Sequence, residues 1–176
     1  MSWNLDPAHS SIQFSVRHMM ISTVRGRFEE FSGTFELNED NPTDSSIDVV
    51  IKAASLSTLE DQRDTHLRSP DFLDTEKYPN ITFKSTRIEQ VDEHHGRLIG
   101  DLTVKDGTNE VILDVEYAGQ AKSPYGTTSA GFTASTKINR KDWELVWNQA
   151  LETGGFLVGD EVVIDIEIEL IKQDES

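Results

Sequence analysis

Cysteine is missing from this 176-residue chain. Disulfides and thiolate metal sites are therefore excluded, and the redox compartment leaves no mark in the composition. Basic residues are scarce: 16 Lys and Arg stand against 32 Asp and Glu, a formal net charge of −16. Such a surface repels phosphate backbones, so no nucleic-acid partner is expected, and attachment to anionic head groups by charge is disfavoured. No apolar run reaches the length of a membrane-spanning helix, so no integral membrane segment is expected. The opening Met1-Ser2-Trp3-Asn4-Leu5-Asp6 has neither a basic nor an apolar stretch. It predicts no signal peptide and a cytoplasmic chain. Internal repeats, low-complexity tracts and linkers are also missing, and the length fits one domain over residues 1–176.

What is present is alternation. In Ser11–Ile21, Ile12, Phe14, Val16 and His18 share one face, while Ser11, Gln13, Ser15 and Arg17 share the other. A period of two marks a strand with one buried and one wet face. The pattern recurs at Phe31, Gly33, Phe35 and Leu37, then at Ile47, Val49, Ile51 and Ala53. It continues at Ile81, Phe83 and Ser85, at Leu98, Gly100, Leu102 and Val104, and at Val111, Leu113, Val115 and Tyr117. Ala130, Phe132, Ala134, Thr136 and Ile138 follow, and Val162, Ile164, Ile166, Ile168 and Leu170 form the cleanest row. Asp106-Gly107 is a hairpin signal, and Gly26 and Gly33 suggest bends or bulges.

The period breaks twice. Ser57-Thr58-Leu59-Glu60 reads as a capping box opening a very polar helix to about Arg68, with Leu59, His66 and Leu67 as its contact side. Asn139 to Asp160 is an irregular excursion holding Trp143 and Trp147. About eight strands joined by hairpin-length connections predict a mainly β fold: an eight-stranded antiparallel up-and-down barrel with a short helical insert. Such a barrel holds side chains or one small ligand. Small inward residues (Gly33, Ala53, Ser85, Gly100, Ala130, Ala134) hint at room for a ligand.

Candidate chemistry is sparse. Three histidines, His9, His18 and His66, could serve a metal or an enzyme. However, there is no His-Glu-x-x-His, and Ser10 beside His9 lacks an oxyanion-hole signature. His18 is inward beside Met19 and Met20. It either meets a ligand head group or is a core histidine bonded to Asp64 or a main-chain oxygen. Arg63 either belongs to a solvated helix face or turns its fork to a phosphate at a channel mouth. Arg140 is expected to anchor its loop. The inward Phe14, Phe31, Phe35, Phe83 and Phe132 fill a core or line a channel.

The residue blocks resemble the YceI-like family of lipocalin-fold proteins over essentially the whole chain. Trp3-Asn4-Leu5-Asp6-Pro7-Ala8-His9-Ser10-Ser11-Ile12-Gln13-Phe14 is similar to the family's start, as are Val16-Arg17-His18-Met19 and Val24-Arg25-Gly26-Arg27-Phe28. The middle matches at Arg63-Asp64-Thr65-His66-Leu67-Arg68-Ser69-Pro70-Asp71-Phe72-Leu73 and Tyr78-Pro79-Asn80-Ile81-Thr82-Phe83. Gly100-Asp101-Leu102-Thr103-Val104, Ile138-Asn139-Arg140-Lys141-Asp142-Trp143 and Val158-Gly159-Asp160 complete the resemblance. Asp106 and Glu110 depart from the family's usual glycine and proline, which predicts a locally changed hairpin.

The resemblance implies a lipocalin-like barrel binding a long isoprenoid lipid (a polyprenyl phosphate or a quinone-like molecule), no enzymatic activity, no cofactor and a homodimer. The residues expected to meet the ligand are Phe14, Val16, His18, Met19, Met20, Phe31, Phe35, Arg63, Phe72, Phe83, Leu102, Phe132 and Ala134. The alternatives are a histidine-dependent metal protein or enzyme, and an interaction domain with a filled core.

Overall fold

In the computed structural model, which describes residues 2–173, the alternating segments become the staves of a closed barrel. Strands β1 (Ser2–Leu5) and β2 (Ser11–His18) are halves of one bent stave, interrupted by a 3-10 turn at Pro7–His9. Strands β3 (Ser22–Phe28) and β4 (Phe31–Glu36) form the second stave. Strands β5 (Ser46–Lys52) and β6 (Leu56–Ser57) form the third. Five unbroken staves follow: β7 (Asn80–Gln90), β8 (His95–Val104), β9 (Gly107–Lys122), β10 (Thr128–Asn139) and β11 (Val158–Lys172). Each pairs antiparallel with the next, and β11 returns to both β1 and β2, with Leu170 opposite Leu5 and Ile166 opposite Ile12. The result is the eight-stave, up-and-down, lipocalin-like barrel that the hairpin spacing predicts.

Two bulges re-aim the inward rows. Thr86 is the extra residue between the pairs Ser85–Gly100 and Arg87–Ile99, and Ala118 is the extra residue between Tyr117–Phe132 and Gly119–Gly131. Past each bulge the face changes, so Ile88 and Gln120 turn toward the interior. The two-residue loop between β8 and β9 is Lys105–Asp106, with Lys105 at φ 59°, one position before the Asp-Gly pair that the sequence suggests.

Helix α1 (Asp61–Arg68) starts later than the capping box predicts. Ser57 is spent in β6, and Thr58 is buried. Its N–H and hydroxyl both donate to the buried Asp64 carboxylate, at 2.9 and 2.5 Å. The helix therefore hangs on hydrogen bonds rather than on an apolar face. Arg68 adds two bonds, to the carbonyls of Ala54 and Leu56. Leu59, expected to pack, is exposed at φ 64°.

The small inward residues do not all leave room. A Cβ on Gly26 would lie 2.4 Å from Cζ of Phe14, and one on Gly100 would lie 2.5 Å from both Cζ of Phe83 and the Lys84 carbonyl oxygen. The distal ring atoms of Phe14 and Phe83 occupy the space over these glycines, and Gly26 and Gly33 stand in unbroken pairing opposite Phe14 and Val49 rather than at the expected bends or bulges. Gly26→Ala is expected to destabilise the barrel by about 1–3 kcal/mol. Phe14→Leu in the same chain should recover part of that loss, because the clash involves the far end of a side chain. Gly100→Ala should not be rescued by Phe83→Leu, because the Lys84 backbone blocks the same space. Urea unfolding of the singles and doubles measures both couplings.

Candidate functional site

The inward rows enclose a cavity of about 720 Å³, within the range of pockets that bury an organic ligand. It runs lengthwise. On β11 alone Val162, Ile164, Ile166, Ile168 and Leu170 line it, a wall roughly 26 Å long at the rise of an extended strand. Phe14, Val16, Phe31, Leu102, Phe132 and Ala134 line it too, yet each is only part-buried. Inward side chains that keep accessible surface are facing empty space, because a filled core packs at crystal density. Of the small inward residues, Ala130 and Ala134 line the cavity, whereas Gly33, Ala53, Ser85 and Gly100 do not.

Among the expected ligand contacts, Phe35, Phe72 and Phe83 are buried and also line the cavity, as do His18 and Arg63. Met19 and Met20 do not. They form the β2–β3 turn at φ 53° and 64°, and two successive left-handed residues carry both thioethers off the inward row. Met19 N–H instead donates to the Leu157 carbonyl, and the Met20 sulfur rests on Gly155.

One end of the channel is closed by α1 and the 144–157 loop. There Arg63 is already engaged: Nε donates to Thr58 Oγ1 at 2.7 Å, Nη2 to the Thr58 carbonyl at 2.9 Å, and Nη1 pairs with Glu60 at 3.0 Å. His66 Nε2 meets Asp71 at 2.9 Å, and its ring stands edge-on to Trp147 and Phe72. His18 differs. Asp64 is committed to Thr58, and among the described residues the His18 ring has no hydrogen-bond partner. A free imidazole thus stands in the apolar wall. Arg140 is buried and donates to the carbonyls of Leu145, Trp147 and Gly159, anchoring the loop as expected.

At the opposite end the 38–45 loop straps across the barrel. Glu39 accepts from Gln120 at 2.6 Å and pairs with Lys172 at 3.0 Å. The Gln120 hydrogen bond, then Lys172, hold its carboxyl below the usual range. Neither Gln120 nor Trp147 is marked by alternation: a bulge delivers the first and an irregular loop the second. The β11 row was legible from its period.

The three histidines do not converge on one point. His9 lies outside the barrel with Asp6 at 2.7 Å and Glu169 at 3.0 Å, and His66 lies with Asp71. Asp6, His9 and Glu169 form the one three-ligand group found among the described residues. Their ligand atoms lie within 4.8 Å of one another, so this group, not a three-histidine set, is where a cation could sit. The Asp6 hydrogen bond raises the His9 pKa above its ordinary 6.5, and the same bond lowers that of Asp6.

A closed antiparallel barrel, polar outside and apolar around a lengthwise channel, defines a lipocalin-like ligand-binding class of fold. The chain belongs to the YceI-like domain family, which matches residues 3–170. A UPF0312 protein of Staphylococcus aureus is 35% identical over 169 residues, 96% of each chain. The crystal structure of the Campylobacter jejuni YceI protein aligns at TM-score 0.78 and 31% identity over 90% of each chain. A polyisoprenoid binding domain from Saccharophagus degradans aligns at TM-score 0.67 and 16% identity, over 96% of this chain and 97% of that one. At that identity it shows the shared fold alone.

Two tests follow from the geometry. Ala134→Leu should project into empty channel and leave the unfolding midpoint nearly unchanged. Ala130→Leu, at a position 1% exposed, should destabilise by about 1–3 kcal/mol. For His9, a raised folded pKa means stabilisation that is complete below 6.5 and lost as pH rises through the folded value. Asp6 contributes above 3.8 and loses its share as pH falls through its lowered value. The stability gap between wild type and His9→Ala is therefore expected to peak at mildly acidic pH and shrink toward alkaline pH in parallel urea titrations.

Proposed function

We propose that this protein binds and carries a long-chain isoprenoid lipid, a polyprenyl phosphate or a quinone-like molecule, without chemically altering it. The observation that carries the reading is the unfilled apolar channel. Along the staves its wall is mostly Ile, Val, Leu and Phe, with polar side chains such as Glu39, Asp92, His95 and Gln120 gathered at the strap end, and it is long rather than round. That shape suits a linear hydrocarbon better than a compact ring system. Burial contributes about 0.8 kcal/mol per methylene, so some ten carbons supply roughly 8 kcal/mol before the costs of ordering. The polyisoprenoid-binding name of the Saccharophagus neighbour supports the ligand class.

His18 is the favoured contact for a polar head. Its unpartnered ring can donate to a phosphate or a quinone oxygen, whereas Arg63 is held by Thr58 and Glu60. The reading carries with it the homodimer and the cytoplasmic setting expected from the sequence.

Mass spectrometry of an organic extract of the purified protein is expected to recover an isoprenoid near one per chain. Ala134→Leu should lower that content several-fold, and His18→Ala should weaken retention while leaving the fold intact. Recovery of no lipid from the wild type would sink the proposal.

A further inference from the structure

The two ends of the barrel present opposite surfaces. At the α1 end, Met19, Met20 and Ile21 form the β2–β3 turn, and Ile21 is 80% exposed. Leu59, 92% exposed, precedes α1, and Val146 and Phe156 stand out from the 144–157 loop. Contacts join these segments into one rim. Met19 bonds to Leu157, and Met20 lies on Gly155. Trp147 lies against His66 of α1, and Thr58 sits over Gly26 of β3. The rim surrounds the place where Trp147, His66 and His18 line the channel. The strap end carries Glu39, Asp40, Asp44, Asp92 and Glu93, with Val91 and Tyr125 exposed singly on separate hairpins.

A second feature sets the rim apart. Met19, Met20 and Leu59 all have positive φ, a conformation that glycine or asparagine adopts more easily. Leu59 is 92% and Met20 61% exposed, so most of their apolar surface is left to solvent at positions that carry backbone strain. Strain of this kind collects at functional sites.

We propose that the α1 end docks on the surface of a lipid bilayer, with Met19, Met20, Ile21, Leu59 and Phe156 entering its interfacial layer. This rests on the carrier reading, since a lipid cargo has to leave and re-enter a membrane. The apolar side chains stand on the tips of separate turns around the cap that α1 and the 144–157 loop make over the channel. They form no continuous groove for a peptide, but they suit a fluid surface that closes around each of them. The strap end, with acidic side chains and only single apolar ones, offers a bilayer little to bury and so faces away. Glu60, Glu144 and Glu152 lie in the same α1-end segments, so attraction comes from apolar burial and favours a zwitterionic surface over an anionic one.

The test is flotation of the full-length protein with phosphatidylcholine vesicles. Wild type is expected to float with the vesicles, and Ile21→Asp with Phe156→Asp should cut the bound fraction at least tenfold. Val91→Asp with Tyr125→Asp, at the strap end, should leave it unchanged, and adding anionic lipid should lower it. Circular dichroism and the lipid content of extracts confirm that each variant stays folded and loaded. Failure of loaded wild type to float overturns the docking face and leaves the carrier reading standing. Flotation of a protein whose extract holds no lipid overturns the carrier reading instead. Equal loss in both double variants would refute the assignment of one end. So would a shift of the rim variant from dimer to monomer in sedimentation, which would give the rim to a second copy.

Discussion

The closure of β11 on a bent first stave is the constraint on which the rest of the structure depends. One edge of β11 pairs with β10 along nearly its whole length, and the other must meet β1 and β2. Left open, those edges would present unpaired backbone groups to any other chain. The first stave cannot run straight because Pro7 breaks the ladder, and side chains repair the gap. Asp6 caps the turn through the Ala8 N–H, its own N–H reaches the Glu169 carbonyl, and Ser10 Oγ accepts from the Glu169 N–H. Asp6, His9 and Ser10 thus build the seam of the barrel.

Once closed, the barrel must keep its interior dry without filling it. Eight staves give a lumen that side chains alone can occupy, so a channel survives only if the large residues are spent elsewhere. Phe14 and Phe83 each place the end of the ring over a glycine, which draws aromatic volume into the wall. Trp143 does the same for one end, buried with its indole N–H on the Leu102 carbonyl. What remains along the axis is a mainly apolar surface of aliphatic side chains and phenylalanine rings with the His18 ring set into it.

The sequence made the faces legible because a strand's period is two and cannot drift. Phe14, Phe31, Phe132 and Ala134 could be placed inward from alternation alone. It could not place Ile88 or Gln120, because a bulge is one extra residue with no compositional mark. It misplaced Met19 and Met20 because alternation does not announce where a strand becomes a turn. It misread Ser57-Thr58-Leu59-Glu60 because the capping pattern is local, while Thr58 is claimed by Asp64 at the end of a strand pairing. Nor could it separate a filled core from a channel. Both need the same inward residues, and only the geometry shows that they leave a cavity of about 720 Å³ between them.

The polar helix follows from the same economy of apolar surface. A helix with an apolar stripe would have sunk into the barrel mouth and plugged it. Asp61–Arg68 has no such stripe, and what holds it is a set of directional bonds from Arg63, Asp64 and Arg68 to residues 54–58. Because Asp64 and Thr58 are buried, those bonds are poorly replaced by water, and losing either partner would strand the other. The same bonds fix the chain at Thr58 so that Leu59 must leave in a left-handed conformation and point outward. The device that closes this end without filling it therefore also decides which residues the end displays.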